Sequence, residues 1–288
     1  VTPKRWLNVR IQCRYELVNS VSDVLEDSGA EAVSISQHSE SSDFEVTGLF
    51  ESTSVDAGTV AQALSRQISE VDQECVTHEF FADRDWVTQS QRRFEPICIS
   101  NRIWITAPWH QIDTKGVRQI VINPGMSFGT GHHATTRMCL EFLASMELEG
   151  KAIIDYGCGS GILAIAALVL GARHVYGIDI DPDAVEESQN NARINGVESR
   201  YTALAPSEIP DELTATVVTA NLSRNVLIEL NDELSRLTAD SGMLALSGIL
   251  SSQANEVRHM FSDRFEIQVT SEDEWVLLTG RKWRRATD

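Results

Sequence analysis

The sequence predicts an α/β protein in which a seven-stranded, doubly wound (Rossmann-like) sheet is preceded by a small ferredoxin-like α/β domain. Three observations predict it. Lys151–Asp181, KAIIDYGCGSGILAIAALVLGARHVYGIDID, reads as strand, glycine turn, helix and strand, the opening unit of a doubly wound sheet. Further on, the buried-strand patterns Thr216–Asn221 and Met243–Leu250 alternate with helical ones, and Phe265–Thr270 with Trp275–Arg281 reads as a closing antiparallel pair. Upstream, residues 6–81 carry the order β-α-β-β-α-β, the ferredoxin-like split unit.

The N-terminal elements follow from periodicity. Trp6–Cys13 alternates, with Leu7, Val9 and Ile11 against Trp6, Asn8 and Arg10. Leu17, Val21, Val24 and Leu25 recur at helical spacing, and Gly29 stands where a helix ends. Ala32–Ser36 and Phe44–Phe50 read as strands. Val55–Ile68 reads as a helix with Val60, Ala61, Leu64 and Ile68 on one face, and Glu74–Phe81 closes the unit. Nothing in this unit looks catalytic, since its carboxylates are dispersed and His38 and His78 stand alone. The charged stretch Ala82–Glu95, with an isolated Trp86, reads as a linker. The expected division is therefore residues 1–81, a linker at 82–95, and residues 96–288.

In the second domain, Pro96–Pro108 reads as a hairpin turning at Ser100-Asn101, followed by a strand at Val117–Ile122. Asn123–Thr136, NPGMSFGTGHHATT, reads as a glycine- and hydroxyl-rich loop before a helix at Arg137–Ser145. The opening unit resolves into a strand Ala152–Tyr156, the turn glycines Gly157, Gly159 and Gly161, a helix Ile162–Leu170 and a strand His174–Ile180. A helix over Pro182–Asn195 ends at Gly196, and Tyr201–Leu204 is a weak strand. Helices at Ser223–Leu237 and Ser251–Phe261 separate the remaining strands, and Arg281–Arg285 reads as a solvated basic tail.

The chemistry gathers at the glycine turn. Glycines there allow dihedrals closed to other residues and a close backbone approach to a ligand. Asp179 closes the second strand roughly 20 residues beyond Gly157, where a carboxylate accepts the hydroxyls of a ribose. A dinucleotide fingerprint begun at Gly157 requires Gly or Ala where Ile162 stands, which argues against a nicotinamide-dependent oxidoreductase. The pattern that fits is D-x-G-x-G-x-G with Asp155 in front. A carboxylate there pairs with an ammonium group, such as that of the methionine part of S-adenosylmethionine, and repels a pyrophosphate. The loop carrying Phe128, Gly129, Thr130 and Gly131 lacks the lysine and spacing of a phosphate-binding loop, so it is read as a second wall of the pocket, with Phe128 either lining it or plugging the core. Asn221, at the carboxyl end of a buried strand, is the third wall; the alternative is a cap for the next helix. His132-His133 lacks any accompanying carboxylate cluster, so no metal site is expected. Asn221, Phe128 and His133 are the candidates for catalytic residues, by positioning rather than by acid–base chemistry, with His133 also open to a proton-accepting role.

Composition narrows the partners. Lys and Arg number 24 against 42 Asp and Glu, giving a formal charge of −18. Such a chain repels a phosphate backbone and favours a basic protein partner. Five scattered cysteines without metal-ligand spacing suit a reducing compartment, and no run approaches the roughly 20 apolar residues of a membrane helix. A cytoplasmic protein without membrane or DNA binding is the expectation.

Seven segments together carry a family resemblance: PGMSFGTGHHATTRMCLEFL, IIDYGCGSGILAIAALVLGA, GIDIDPDAV, NNARINGV, TAN, LALSGILSSQ and EWVLLTGRK. They resemble the PrmA-type ribosomal protein L-eleven methyltransferases over almost the whole chain. GCGSG alone fits any methyltransferase of the class, whereas FGTG-H-TT is characteristic of this family. The resemblance implies a methyltransferase domain at 96–288 and S-adenosylmethionine as cofactor. Cofactor contacts would fall on Thr136, Gly157, Asp179 and Asn221, with Asp155, Gly159, Gly129 and Thr130 around them. It also implies that residues 1–81 recognise the ribosomal protein L-eleven, free or on the ribosome, and that lysine side chains and an N-terminal amine are methylated. Three departures stand out: Leu222-Ser223 where the family has Ile-Leu, Thr216 in place of an aspartate, and Ser90 near a usual linker tryptophan. They leave open a related methyltransferase acting on another protein, or a ribosome-associated factor whose catalysis has decayed.

Overall fold

The computed structural model describes residues 5–37, 43–52, 56–71, 75–82, 94–123 and 131–284. The chain divides into two compact units, Val1–Arg92 and Arg93–Asp288. Residues 83–93 of the linker, with Trp86 and Ser90, as well as His38 and the loop residues Phe128, Gly129 and Thr130, lie outside the described residues.

In the first unit the alternation of β1 (Arg5–Arg14) buries Leu7, Val9, Ile11 and Cys13. Helices α1 (Tyr15–Asp27) and α2 (Ala57–Gln67) supply Val21, Leu25, Val60 and Leu64 to the same core. Gly29, at φ 91°, ends α1, and the Asp56 side chain caps α2 by accepting the Thr59 N–H. With β2 (Ala32–Gln37), β3 (Asp43–Glu51) and β4 (Val76–Ala82) the sheet runs β2-β3-β1-β4, every pair antiparallel. This is the ferredoxin-like order.

The second unit opens with a small sheet of β5 (Ile97–Ile99), β6 (Ile103–Thr106) and β7 (Arg118–Val121). The β5–β6 turn places Ser100 and Asn101 at φ 48° and 53°, the paired positive dihedrals of a two-residue hairpin loop. The main sheet holds β8 (Ala152–Tyr156), β9 (His174–Ile178), β10 (Tyr201–Leu204), β11 (Ala215–Asn221), β12 (Thr238–Leu250), β13 (Phe265–Glu272) and β14 (Trp275–Lys282). Their order is β10-β9-β8-β11-β12-β14-β13, with β14 antiparallel to both neighbours and the other pairs parallel. The chain leaves β8 for β9 on one side and later returns to place β11 on the other. The carboxyl ends of β8 and β11 therefore flank the switch point at which such sheets take ligands.

Six helices are described in this unit: α3 (Ala134–Ser145), α4 (Ile162–Val169), α5 (Pro182–Ile194), α6 (Arg224–Glu229), α7 (Asn231–Leu237) and α8 (Ala254–Phe261). One layer buries Leu227, Leu234, Leu237, Val257 and Phe261 against Ile154, Val218, Leu244 and Leu246 of the sheet. α4 is apolar all round, and Ile162 to Leu168 are all buried, as a helix packed on every side requires.

Several boundaries differ from the sequence expectation. The helix expected over Ser223–Leu237 is two helices that break at Leu230, whose φ/ψ of −86°/3° leaves the helical region. The strand expected from Met243 extends back to Thr238. It is interrupted by a register shift between Leu246 and Ile249, where Gly248 adopts φ 87°. α3 starts three residues early because His133 caps it, so Thr135 and Thr136 belong to the helix, not to the loop. β9 stops at Ile178, since the Asp179 side chain turns the chain by accepting the Asp181 N–H. α8 starts at Ala254, not at Ser251.

Candidate functional site

The site is built on the loop between β8 and α4. Gly157 lies at φ 73°, and a Cβ added there would come within 2.4 Å of the Leu222 side chain. The dihedral favours glycine, and any side chain there would push the Leu222 side chain aside. Leu222 is itself wedged in place: its N–H donates to the Ser247 carbonyl, and a Cβ on Gly248 would lie 2.5 Å from its carbonyl oxygen. The residue after Asn221 thus packs on the glycine loop, which couples the carboxyl ends of β8, β11 and β12.

Asp179 organises the far side. Its Oδ2 accepts the Gly159 N–H at 2.8 Å and its Oδ1 accepts the Asp181 N–H at 3.0 Å. Each carboxylate oxygen retains acceptor capacity for a ligand hydroxyl. Ile180 beside it is 86% exposed, an apolar side chain held in solvent at the carboxyl edge of the sheet.

Asp155 is placed differently from the sequence expectation. Instead of lining an open face it is 1% exposed, behind the loop. One oxygen accepts from the Thr219 hydroxyl at 2.8 Å and the other from the Ala164 N–H in the first turn of α4 at 3.2 Å. Burial raises its pKa to about 7 against these two hydrogen bonds, with the Asp179 charge adding to the rise.

Asn191 of α5, buried in the second unit, joins the two glycine-bearing segments. Its Nδ2 donates to the Ser160 carbonyl at 2.9 Å, and its Oδ1 accepts the Asn123 N–H at 3.1 Å. Asn195, one turn on, exchanges two hydrogen bonds with the backbone of Val121. Asn221 and Thr136 are brought together, the Asn221 Nδ2 donating to the Thr136 hydroxyl at 3.2 Å. Thr136 is buried, whereas Asn221 is partly exposed at the end of β11.

His133 is engaged otherwise. Its Nδ1 accepts the Thr135 N–H, and its ring meets Trp275 edge-on at 4.7 Å. Its pKa is lowered by loss of solvent, with Glu274 opposing and Arg137 adding to the drop. The same Nδ1 lies 2.7 Å from the Thr135 hydroxyl, so the structure uses this nitrogen of His133 to cap α3. His132 is separate: its Nε2 accepts the Glu95 N–H and its ring packs on Phe94. Among the described residues no group of three or more His, Cys, Asp or Glu side chains could hold a metal, and no helix is long and apolar enough to cross a membrane.

Periodicity did not single out Thr219, Asn191 or Ile180. Thr219 and Asn191 look like strand and helix interior, and the one available signal for Ile180 is an apolar residue directly after the acid that closes β9.

A seven-stranded sheet with one antiparallel strand, a D-x-G-x-G-x-G loop after its first strand and an acid after its second defines the S-adenosylmethionine-dependent methyltransferase class. The comparisons with known proteins are narrower. The family model for "Ribosomal protein L11 methyltransferase (PrmA)" matches residues 5–283, and the chain belongs to that family. It is 38% identical over 290 residues to the ribosomal protein L11 methyltransferase of Photorhabdus laumondii, covering 96% of this chain and 98% of the relative. It is 39% identical over 289 residues to that of Histophilus somni, with the same coverage. A crystal structure of the ribosomal protein L11 methylase of Lactobacillus delbrueckii superposes with a TM-score of 0.60 at 24% identity, over 66% of this chain and all of the other. That likeness concerns the fold. The family methylates L11 with S-adenosylmethionine as methyl donor.

Proposed function

We propose that this methyltransferase modifies lysine side chains and the N-terminal amine of ribosomal protein L11. The observation that carries the reading is the junction of Asn221 with Thr136 beside the glycine loop, which presents a carboxamide at the mouth of the switch point. S-adenosylmethionine, when bound, supplies a methyl carbon activated by a sulfonium. The residues around it would divide the work of holding it. Gly157 and Gly159 would let the backbone come close, and Asp179 would receive the ribose hydroxyls. Ile180 would cover one face of the purine, and Thr136 would hold Asn221 in place. Asp155 would act on the ammonium from behind the loop. We assign Gly129, Thr130 and Phe128 to the wall opposite, on family resemblance alone.

The acceptor amine must arrive neutral, although a free lysine has a pKa of about 10.4. Entry into a weakly polar pocket lowers it. With Nδ2 committed to Thr136, the Asn221 carboxamide oxygen is left to accept an amine N–H and orient the lone pair. Near-attack alignment of this kind contributes on the order of 7–11 kcal/mol in the best cases. No general base is assigned. Residues 1–81 serve to recognise the protein substrate, whose basic character suits a chain of net charge −18.

The test is incubation of the full chain with S-adenosylmethionine and purified L11, read by peptide mass spectrometry. Methyl groups on lysine and α-amine positions are expected. Methylation confined to other side-chain types, or found on another protein of a ribosomal extract while L11 stays unmodified, would overturn the reading.

A further inference from the structure

Asp155 is a buried carboxylate at the point where the ligand loop turns into a helix, and among the described residues two groups donate to it. One is the backbone of Ala164. The other is a side chain from the neighbouring strand: Thr219, 0% exposed, whose hydroxyl lies 2.8 Å from Oδ1 and 3.4 Å from the Ile154 carbonyl. The register of β8 against β11 sets Thr219 directly beside Asp155. The hydroxyl therefore has a choice. It donates to an ionised Asp155, or it accepts from a protonated one and turns its own proton to Ile154. A hydroxyl in this position reports the charge state of the acid and helps to set it.

We propose that Thr219 is a positioning residue for the methyl-transfer site: its hydroxyl favours the ionised form of Asp155, which accepts from the first turn of α4 and suits a cationic ligand. The proposal rests on the cofactor reading above and deepens it. S-adenosylmethionine carries a net positive charge, from a sulfonium and an ammonium against one carboxylate. Its binding therefore favours the ionised acid and is opposed by the protonated one.

The groups that face Asp155 leave it as the titrating member. Cys139 on α3, Cys158 in the loop and Tyr201 on β10 are pushed upward, chiefly by burial, and stay neutral through the physiological range. The Asp179 carboxylate faces it from the end of β9 and adds repulsion. Against the burial of Asp155, the Thr219 hydroxyl is the strongest opposing group. Affinity for S-adenosylmethionine is thus expected to fall as pH drops through the midpoint of Asp155, and Thr219 sets that midpoint.

The experiment is calorimetric titration of the full chain with S-adenosylmethionine, without acceptor, across the pH range in which Asp155 titrates. It compares wild type, Thr219→Val and Thr219→Ser. Thr219→Val keeps the shape and removes the donor. It is expected to bind about fivefold more weakly at pH 7, with the midpoint raised by about one pH unit, the worth of one hydrogen bond to a charged group. Thr219→Ser restores the hydroxyl and should return both values to wild type. Thr219→Val with wild-type affinity and midpoint refutes the proposal, as does a Thr219→Ser that behaves like Thr219→Val. Should Thr219→Val fail to fold, Asp155→Asn provides the second arm. It cannot ionise, so its affinity must be flat across the same range, and a wild-type pH profile in that protein refutes the link. A wild type with no affinity at any pH would refute the cofactor reading together with this proposal, whereas equal wild-type and Thr219→Val curves sink the proposal alone.

Discussion

Replacing Asp155 by Asn should make the fold more stable at alkaline pH and leave it nearly unchanged in acid. Folding moves the carboxyl from an ordinary 3.8 to about 7, because burial outweighs the bonds from Thr219 and Ala164. The rise from 3.8 to about 7 corresponds to a penalty of roughly 4 kcal/mol for holding the ionised acid inside. The sign follows from proton binding. Between 3.8 and about 7 the folded chain holds a proton that the unfolded chain has released. Stability from this group is complete below the lower value and is lost as pH rises through the upper one. Asparagine mimics the protonated acid. Its oxygen accepts the Ala164 N–H and its amide donates to Thr219, whose proton turns to the Ile154 carbonyl. Between about pH 5 and pH 8 the difference in unfolding free energy should therefore move by roughly 2–3 kcal/mol in favour of Asn. Urea unfolding of both proteins at the two pH values measures it. A difference that stays constant, or that moves in favour of the wild type, would refute the assignment of Asp155 as a buried titrating acid.

Four further outcomes are expected. Gly157→Ala places a Cβ 2.4 Å from the Leu222 side chain at a positive φ, which costs on the order of 1–3 kcal/mol and should abolish measurable cofactor binding by calorimetry; adding Leu222→Ala should recover part of it. Asp179→Ala strips the acceptor from the Gly159 and Asp181 amides and should lower affinity for S-adenosylmethionine about tenfold or more. His133→Asn keeps a capping side chain and should retain the full turnover rate, whereas His133→Ala should lose about 1 kcal/mol of stability in thermal unfolding without changing the pH profile of turnover; an altered alkaline or acid limb in His133→Asn would restore the histidine as a proton acceptor. Removal of residues 1–81 should leave the calorimetric affinity for S-adenosylmethionine intact while abolishing methylation of L11, and full-rate methylation by the shortened chain would remove that unit from substrate recognition.

Positions that a sequence marks well are those where the backbone does something only a few residues can do. Gly29, Gly157 and the Ser100-Asn101 turn all take positive φ, and each was visible as a local residue type between periodic runs. The strands β8, β9 and β11 were visible because burial on both faces demands continuous apolar runs. What escaped was placed by contacts between distant segments. The start of α3 hid behind two β-branched threonines, and only the His133 cap shows that they are helical. Leu230 carries no turn signal, so the break between α6 and α7 is set by packing, not by residue type. Thr219 has strand propensity and a strand position, and nothing local distinguishes it from Val217 or Val218 until the register of β11 on β8 sets it against Asp155. The same holds for Asn191, which meets Ser160 and Asn123 across α5. The glycines and Asp179 that shape the pocket sit in loops and advertise themselves. The polar side chains that hold those loops in shape sit inside regular elements, where their chemistry looks like composition. In this chain the division falls on a single acid: Asp155 belongs to the legible motif, yet its burial and the Thr219 hydroxyl from another strand, which act on its charge, are set by packing that the motif does not show.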